Sequence, residues 1–324
     1  MRTLFHTNTL NYRGTTVAVR DYARYNQEIL GHESVIAYCK TNGIEKDMGN
    51  EYAVIEALEK EFQVVGYRTG DLEKKVDQLK IDTTYMISSG QKQTIDVPTN
   101  CNTVIHAVFQ FNDPYGDRYA YISEWLSQHM TNGKYPFVPH MVDLPKPTRN
   151  YREHLGIKPE QKVIGRIGGF FTFDIPFVKT LVHQLANSTD ELVFLFVGTE
   201  PFIEHPNVKF VNEIHDPQKK TNFIETCDAM LHARQRGESF GLSIAEFLSL
   251  NKPVFAWNNG HDKNHLIMLK DSGTLYNNEV ELKDMLLNVS RAIQQEDWSK
   301  RVEDYKPGKV MKKFKEVFYD DISL

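Results

Sequence analysis

The sequence predicts an α/β protein made of two similar halves, and three observations carry that expectation. Short β-branched or aromatic runs alternate with longer amphipathic stretches, the pattern of parallel sheets with crossover helices. A segment with four prolines at 136–147 interrupts the alternation, because proline continues neither a ladder nor a helix interior. The same alternation then restarts and runs towards the end. A chain of 324 residues has room for two buried cores.

Taken in order, the first half reads as strands near 3–6, 34–38, 62–65, 83–87 and 103–109, with helices near 15–30, 51–61, 71–79 and 117–130. The second half reads as strands near 162–167, 192–197, 208–211, 228–232 and 253–257, with helices near 175–186, 218–226, 242–250 and 278–293. Each half is therefore expected to form a doubly wound parallel sheet. Ligands of such sheets bind outside the carboxyl ends of the strands, so two of them offer pockets for two substrates.

Composition narrows the classes. With 40% hydrophobic and 25% charged residues the chain is close to the globular average. Its net charge of -5 comes from interspersed acids and bases, which leaves no basic field for DNA or RNA. Cys39, Cys101 and Cys227 lie far apart without a Cys-x-x-Cys spacing, which removes zinc clusters and dithiol redox motifs and fits a reducing compartment. No signal-peptide pattern and no long apolar run is found, so a cytoplasmic location is the expectation. The stretch 309–315 carries four lysines beside Val310, Met311 and Phe314. It reads as a solvated helix packed on one side, with peripheral membrane contact as the alternative.

The chemistry is concentrated in 234–254, Arg-Gln-Arg-Gly-Glu-Ser-Phe-Gly-Leu-Ser-Ile-Ala-Glu-Phe-Leu-Ser-Leu-Asn-Lys-Pro-Val. Glu238 falls in a loop after a strand, Phe240-Gly241-Leu242 at a helix start, and Glu246 about one turn inside that helix. Unpaired amides and the positive end of the helix dipole favour an anion such as a diphosphate. Gly241 lets a ligand approach the backbone. The two flanking carboxylates would repel a phosphate, but they can accept from pairs of neutral hydroxyls. A nucleotide sugar has polyols at both ends and a diphosphate between them. The blander reading of the two acids is a loop Glu and a helix-surface Glu.

Glu238 to Glu246, followed by Asn251-Lys252-Pro253-Val254, resembles the donor motif of retaining family-4 glycosyltransferases of GT-B fold, two Rossmann-like domains facing a cleft. Gly165-Arg166-Ile167, Phe196-Val197-Gly198, Cys227-Asp228-Ala229 and the inter-domain Val138-Pro139-His140-Met141-Val142-Asp143 are similar to further motifs of that family. The resemblance spans nearly the whole chain and is stronger in the second half. It implies an acceptor-side domain over 1–145, a nucleotide-sugar donor domain over 146–300, and a C-terminal helix over 301–324 crossing back to the first domain.

The resemblance also implies roles. Glu238 would hold hydroxyls of the transferred sugar, Glu246 those of the ribose, and the amides of Phe240, Gly241 and Leu242 the diphosphate. Arg166 would stabilise the charge of the leaving group. His106, in Val104-Ile105-His106-Ala107-Val108, resembles the family's cleft histidine, and Arg13-Gly14 its glycine turn facing the donor phosphates. Read alone, His106 is a core histidine. The family commonly places a Lys soon after the Arg166 position, whereas this chain has Gly168-Gly169-Phe170-Phe171-Thr172-Phe173-Asp174. Arg234, Arg236 and Lys179 are the candidate second cations, and no spacing argument chooses among them.

No Asp-x-Asp manganese site is evident: Asp320-Asp321 lie at the tail, and His261-Asp262 with His265 read as loop capping. The expected activity is a metal-independent, retaining transfer of a hexose-type sugar from a nucleotide-diphosphate sugar to a glycan or other hydroxyl acceptor, with no cofactor. Dehydrogenase and kinase readings fail because neither Gly-x-Gly-x-x-Gly after a strand nor a Gly-x4-Gly-Lys loop occurs. A nucleotide-sugar 2-epimerase would not need the Glu238 to Glu246 arrangement so completely. A non-catalytic, sugar-nucleotide-binding or scaffold protein is the alternative from another class. The loop at 89–100 reads as generic and polar, and leaves the acceptor open.

Overall fold

A computed structural model of the chain describes residues 1–41, 49–92 and 96–320. Two compact units are present, Met1–Met141 with Tyr305–Leu324, and Val142–Asp304.

Unit 1 runs β1 (Arg2–Thr7), α1 (Gly14–Glu28), β2 (Glu33–Thr41), α2 (Tyr52–Glu59), β3 (Gln63–Arg68), α3 (Leu72–Leu79), β4 (Thr83–Ser88), β5 (Asn102–Ala107), β6 (Arg118–Tyr121) and α4 (Glu124–Thr131). Its six strands are all parallel, in the order β3-β2-β1-β4-β5-β6. The central strands β1, β4 and β5 are buried almost end to end, as expected of a sheet covered on both faces. The segment expected to be one helix over 117–130 divides instead. Arg118-Tyr119-Ala120-Tyr121 pairs with β5 as the edge strand, and Ser123 then starts α4 by accepting a hydrogen bond from the Leu126 amide at 3.3 Å. Two tyrosines in four residues favour a pleated, half-buried surface, and Ser123 supplies the start signal three residues before Leu126.

Unit 2 runs β7 (Lys162–Ile167), α5 (Pro176–Ser188), β8 (Leu192–Val197), β9 (Val208–Val211), α6 (Pro217–Thr226), β10 (Ala229–His232), β11 (Gly237–Glu238), α7 (Leu242–Ser249), β12 (Val254–Trp257), β13 (Asp262–Lys263), α8 (Asn264–Met268), β14 (Leu275–Tyr276), α9 (Glu279–Leu287) and α10 (Val289–Gln295). A 3-10 helix, Trp298–Tyr305, and α11 (Pro307–Phe318) follow. The main sheet is parallel, in the order β14-β12-β10-β7-β8-β9, and β11 pairs with β13 as a separate two-residue ladder. The single helix expected over 278–293 is broken at Asn288, whose side chain bonds back to the Asp284 carbonyl at 2.9 Å. Such local side-chain bonds compete with the helical ladder.

α11 belongs to unit 1. Phe314 stacks on Tyr22 with ring centroids 5.0 Å apart, and Val310, Met311 and Phe318 are buried with it. The lysines at 309, 312, 313 and 315 are carried on the same helix; Lys313 lies over the Phe137 ring. No helix among the described residues is long and apolar enough to cross a membrane.

Candidate active site

In unit 2 the strand order reverses between β7 and β10. β8 and β9 follow on one side of β7, while β10, β12 and β14 follow on the other. Chains leaving the carboxyl ends of β7 and β10 therefore diverge and leave a crevice, the usual ligand position in open sheets. A cavity of about 210 Å³ opens there. Arg166 reaches it from the end of β7, His232 from the end of β10, Arg234 and Glu238 from the following segment, and Leu242 and Ser243 from the first turn of α7.

Arg166 is only 3% exposed. Its Nη2 donates to the Gly169 carbonyl at 3.2 Å and Thr172 Oγ1 at 2.7 Å, and its Nη1 to the Gly198 carbonyl at 3.4 Å and to Thr199 Oγ1. The guanidinium also lies over the Phe173 ring, 5.4 Å from its centroid. Burial pulls its pKa down to about 10, with the nearby Glu238 carboxylate working against that, so it stays cationic at neutral pH.

Glu238 accepts from Arg234 Nη1 at 3.1 Å and faces His232 Nε2 at 3.2 Å. Burial pushes its pKa up, yet the hydrogen bond and charge of His232, the charge of Arg234 and that of His265 outweigh this, and the net shift is downward. Glu238 is an ionised acceptor at neutral pH. Its backbone is held by close contact between glycines. Gly237 has φ 75°, and a Cβ there would come within 2.1 Å of the Asp262 carbonyl oxygen. A Cβ on Gly260 would meet the Gly237 Cα at 2.7 Å.

Gly241 caps α7 in the left-handed region, φ 95° and ψ 51°, which an L side chain adopts only with strain. Phe240 is buried and its carbonyl accepts from Asn264 Nδ2 at 2.8 Å, which fixes the entry into the helix. Glu246, one turn further, is 5% exposed and pairs with Lys220 Nζ of α6 at 2.6 Å. It does not line the cavity that Arg166 and Glu238 share.

Of the three candidate second cations, Arg234 lines the cavity, Arg236 pairs with Asp262 at 2.9 Å, and Lys179 lies over the Phe202 ring. Asp174 has a structural task. Its Oδ1 accepts from the Gln235 amide at 2.7 Å, and its own amide bonds to the Ala233 carbonyl, so it clamps the segment leading from β10 to Glu238.

In unit 1, Arg13 is the exposed N-cap of α1 and Gly14 its first residue. His106 sits inside the core of that unit, 0% exposed. Nε2 lies 2.8 Å from the Val138 carbonyl and so donates to it, which leaves Nδ1 to accept from the Tyr85 hydroxyl at 2.6 Å. Burial, with the charge of His140, lowers its pKa to about 3. Both ring nitrogens are thereby engaged with the protein in this structure.

Among the described residues no group of three or more His, Cys, Asp or Glu could hold a metal ion. Asp262 is committed to Arg236, and His265 Nε2 to the Trp257 carbonyl at 2.9 Å. Asp321 of the tail pair, and 93–95 of the 89–100 loop, lie outside the described residues. The sequence reading missed His232, Lys220, Thr172 and Thr199. His232 carried one available signal, as the last residue of the strand at the switch point.

This architecture is the GT-B glycosyltransferase fold, with two six-stranded parallel sheets and interleaved helices. The chain is similar to Anabaena HepE solved with UDP and glucose, at a TM-score of 0.73 and 14% identity over 98% of both chains. It is similar to a glycosyltransferase from Rickettsia africae ESF-5, at 0.70 and 14% over 99% of both. A TarM variant from S. aureus, solved with fondaparinux, alpha-GlcNAc-glycerol and UDP, gives 0.69 and 11% over 98% of this chain and 100% of that one. No family model and no curated protein matches the sequence.

Proposed function

We propose that the protein is a glycosyltransferase that moves a hexose-type sugar from a nucleotide-diphosphate sugar to a glycan or other hydroxyl acceptor, with retention of configuration and without a metal. The observation that carries this reading is the convergence of Arg166, Arg234, Glu238 and the start of α7 on one cavity at the switch point of the unit 2 sheet. HepE, similar in fold, has been solved with UDP-glucose, and this supports a donor of that kind.

In the proposed arrangement the amides of Phe240, Gly241 and Leu242 and the guanidinium of Arg166 take the diphosphate. Arg234 is the second cation. Glu238 accepts from hydroxyls of the transferred sugar, and Glu246, its rotamer held by Lys220, from those of the ribose; one ammonium partner leaves a carboxylate further acceptor sites. As the bond from the anomeric carbon to the diphosphate oxygen breaks, negative charge grows where Arg166 and the helix amides already stand, and preorganised donors stabilise it without reorganising. The acceptor hydroxyl attacks from the face the phosphate leaves. The departing phosphate oxygen takes its proton, so no carboxylate nucleophile is needed.

The second reading, a non-catalytic donor-binding protein, is favoured by one observation: Phe170 to Asp174 stands where a phosphate-gripping Lys is expected. A thermal-shift screen with UDP, GDP, ADP, TDP, CMP and their sugar conjugates, followed by assay of donor hydrolysis, separates the readings. The proposal expects one nucleotide to raise Tm and its sugar conjugate to be slowly hydrolysed without added acceptor. Protection of the conjugate from hydrolysis would favour the non-catalytic reading, and no shift with any nucleotide would leave that reading only in its scaffold form.

A further inference from the structure

Between Gly169 and Thr172 the chain makes a tight turn, closed by the Thr172 amide on the Gly169 carbonyl at 3.0 Å and by Thr172 Oγ1 on the same oxygen at 2.9 Å. The turn is also pinned from outside. Arg166 Nη2 grips the Gly169 carbonyl and Thr172 Oγ1, and the Glu200 amide donates to the Phe170 carbonyl at 3.1 Å. Turn tips ordinarily carry Gly, Pro, Asn, Asp or Ser, each for a conformational reason. Here the tip is Phe170-Phe171, 45% and 75% exposed. Exposing two aromatic rings on a braced turn forfeits burial that a polar residue there would not need. Such a breach of local rules, offset only in part by the contact of the two rings with each other, points to a functional site.

The position and shape of the pair indicate what it meets. Gly168, Gly169 and Thr172, on either side of the two rings, line the cavity that holds Arg166 and Glu238. The rings stand at 87° with centroids 5.1 Å apart, so they form a corner, one ring offering a face and the other an edge. A pyranose has one face of C–H bonds and a rim of hydroxyls. The C–H groups are attracted to the negative face of an aromatic ring, and the polar surroundings suit the rim. An acyl chain would need a continuing apolar track. The other exposed large apolar side chains described in unit 2, Ile267, Val280 and Leu287, are on α8 and α9 instead.

We infer that Phe170 and Phe171 form a stacking platform for a sugar ring of the acceptor, so that the acceptor is a saccharide; this rests on the donor reading above for the role of the neighbouring cavity. The test uses saturation-transfer NMR with maltose, cellobiose and chitobiose on the wild type, on Phe170→Ala/Phe171→Ala and on Phe171→Tyr, alongside UDP thermal shifts. The C–H protons of at least one saccharide should be saturated by the wild type and by Phe171→Tyr, and at least fivefold less by the double variant, with an unchanged UDP shift. Absence of saccharide saturation in the wild type, or equal saturation in the double variant, would overturn the inference. So would loss, in the double variant, of cosedimentation with phosphatidylglycerol vesicles in place of saccharide contact. Saccharide contact that depends on the two rings, in a protein that no nucleotide stabilises, would support the platform and remove the donor reading instead.

Discussion

The two sheets share one strand order, 3-2-1-4-5-6 when each is numbered from its own start, yet they treat the polar groups near their carboxyl ends in opposite ways. In unit 1, His6 is buried against the Tyr67 hydroxyl at 2.7 Å and His106 lies between Tyr85 and Val138, so hydrogen-bonding capacity turns inward. In unit 2, Arg166, His232, Arg234 and Glu238 converge on a cavity. The strand order is the same in either case, and what stands near the ends of the strands decides whether the polar groups there are ionised around a cavity or buried against neighbouring side chains. Fold likeness between the halves therefore says little about which of them does chemistry.

The largest expected effect tests that contrast directly. Arg166→Ala should lower turnover of the sugar nucleotide about 100- to 1,000-fold, the order seen when one preorganised transition-state donor is removed. His106→Ala should instead lower stability by about 2–4 kcal/mol, since it leaves the Tyr85 hydroxyl and Val138 carbonyl without their ring partner and opens a void. Its folded fraction should keep kcat within about threefold. Steady-state kinetics with denaturant titration of both variants checks this, and a turnover loss in His106→Ala without loss of stability would support the cleft role that the family resemblance implies for it.

A smaller effect belongs to Glu246. Glu246→Ala should weaken nucleotide binding by about 1.5–3 kcal/mol, the range for hydrogen bonds to a charged group, read by calorimetric titration. Because it also leaves the half-buried Lys220 without its carboxylate, Tm should fall as well, whereas Lys220→Met with Glu246→Gln should restore Tm and not affinity. Recovery of affinity in the double variant would make Glu246 a packing residue only.

The mildest effect is a pH dependence that divides the two units. Burial lowers the pKa of His6 to about 4, His106 to about 3 and His140 to about 4, whereas the ordinary value is 6.5. Between those values the unfolded chain binds more protons than the folded one, so stability is full above about pH 6.5 and falls as pH drops towards 4. Unit 2 holds one comparable histidine, His265, also at about 4. Glu238 acts over a lower range. Its pKa is depressed, so its contribution is complete above 4.5 and is lost as pH falls through the lowered folded value. Hydrogen exchange followed peptide by peptide from pH 7 to 5 should show unit 1 loosening before unit 2. Equal loosening would mean that the inward-facing histidines of unit 1 impose no special cost.

Much of the fold was legible because buried parallel strands write themselves as β-branched and aromatic runs, as in Leu192–Val197. The short edge strands β6 and β14 were not, since four and two residues carry too little pattern to compete with the helix signals beside them. In the site, Glu238, Gly241 and Arg166 could be picked out from local motifs. Lys220 could not, because its importance comes from a partner 26 residues away that only the folded chain brings within reach, and His232 offered only its place at the end of a strand. The inward setting of His106 was hidden for the same reason: Val138 is 32 residues distant.

The contact of Gly237 with Gly260 and with the Asp262 carbonyl leaves no space for even one methyl group. Any mutation at Gly237 would push β11 from β13 and carry Glu238 out of line with Arg166, whatever else in the chain stayed the same. Diverged copies of this sequence can accordingly be sorted by inspection. Those that have exchanged this glycine have given up the geometry that Glu238 depends on, even where the glutamate itself survives as a relic.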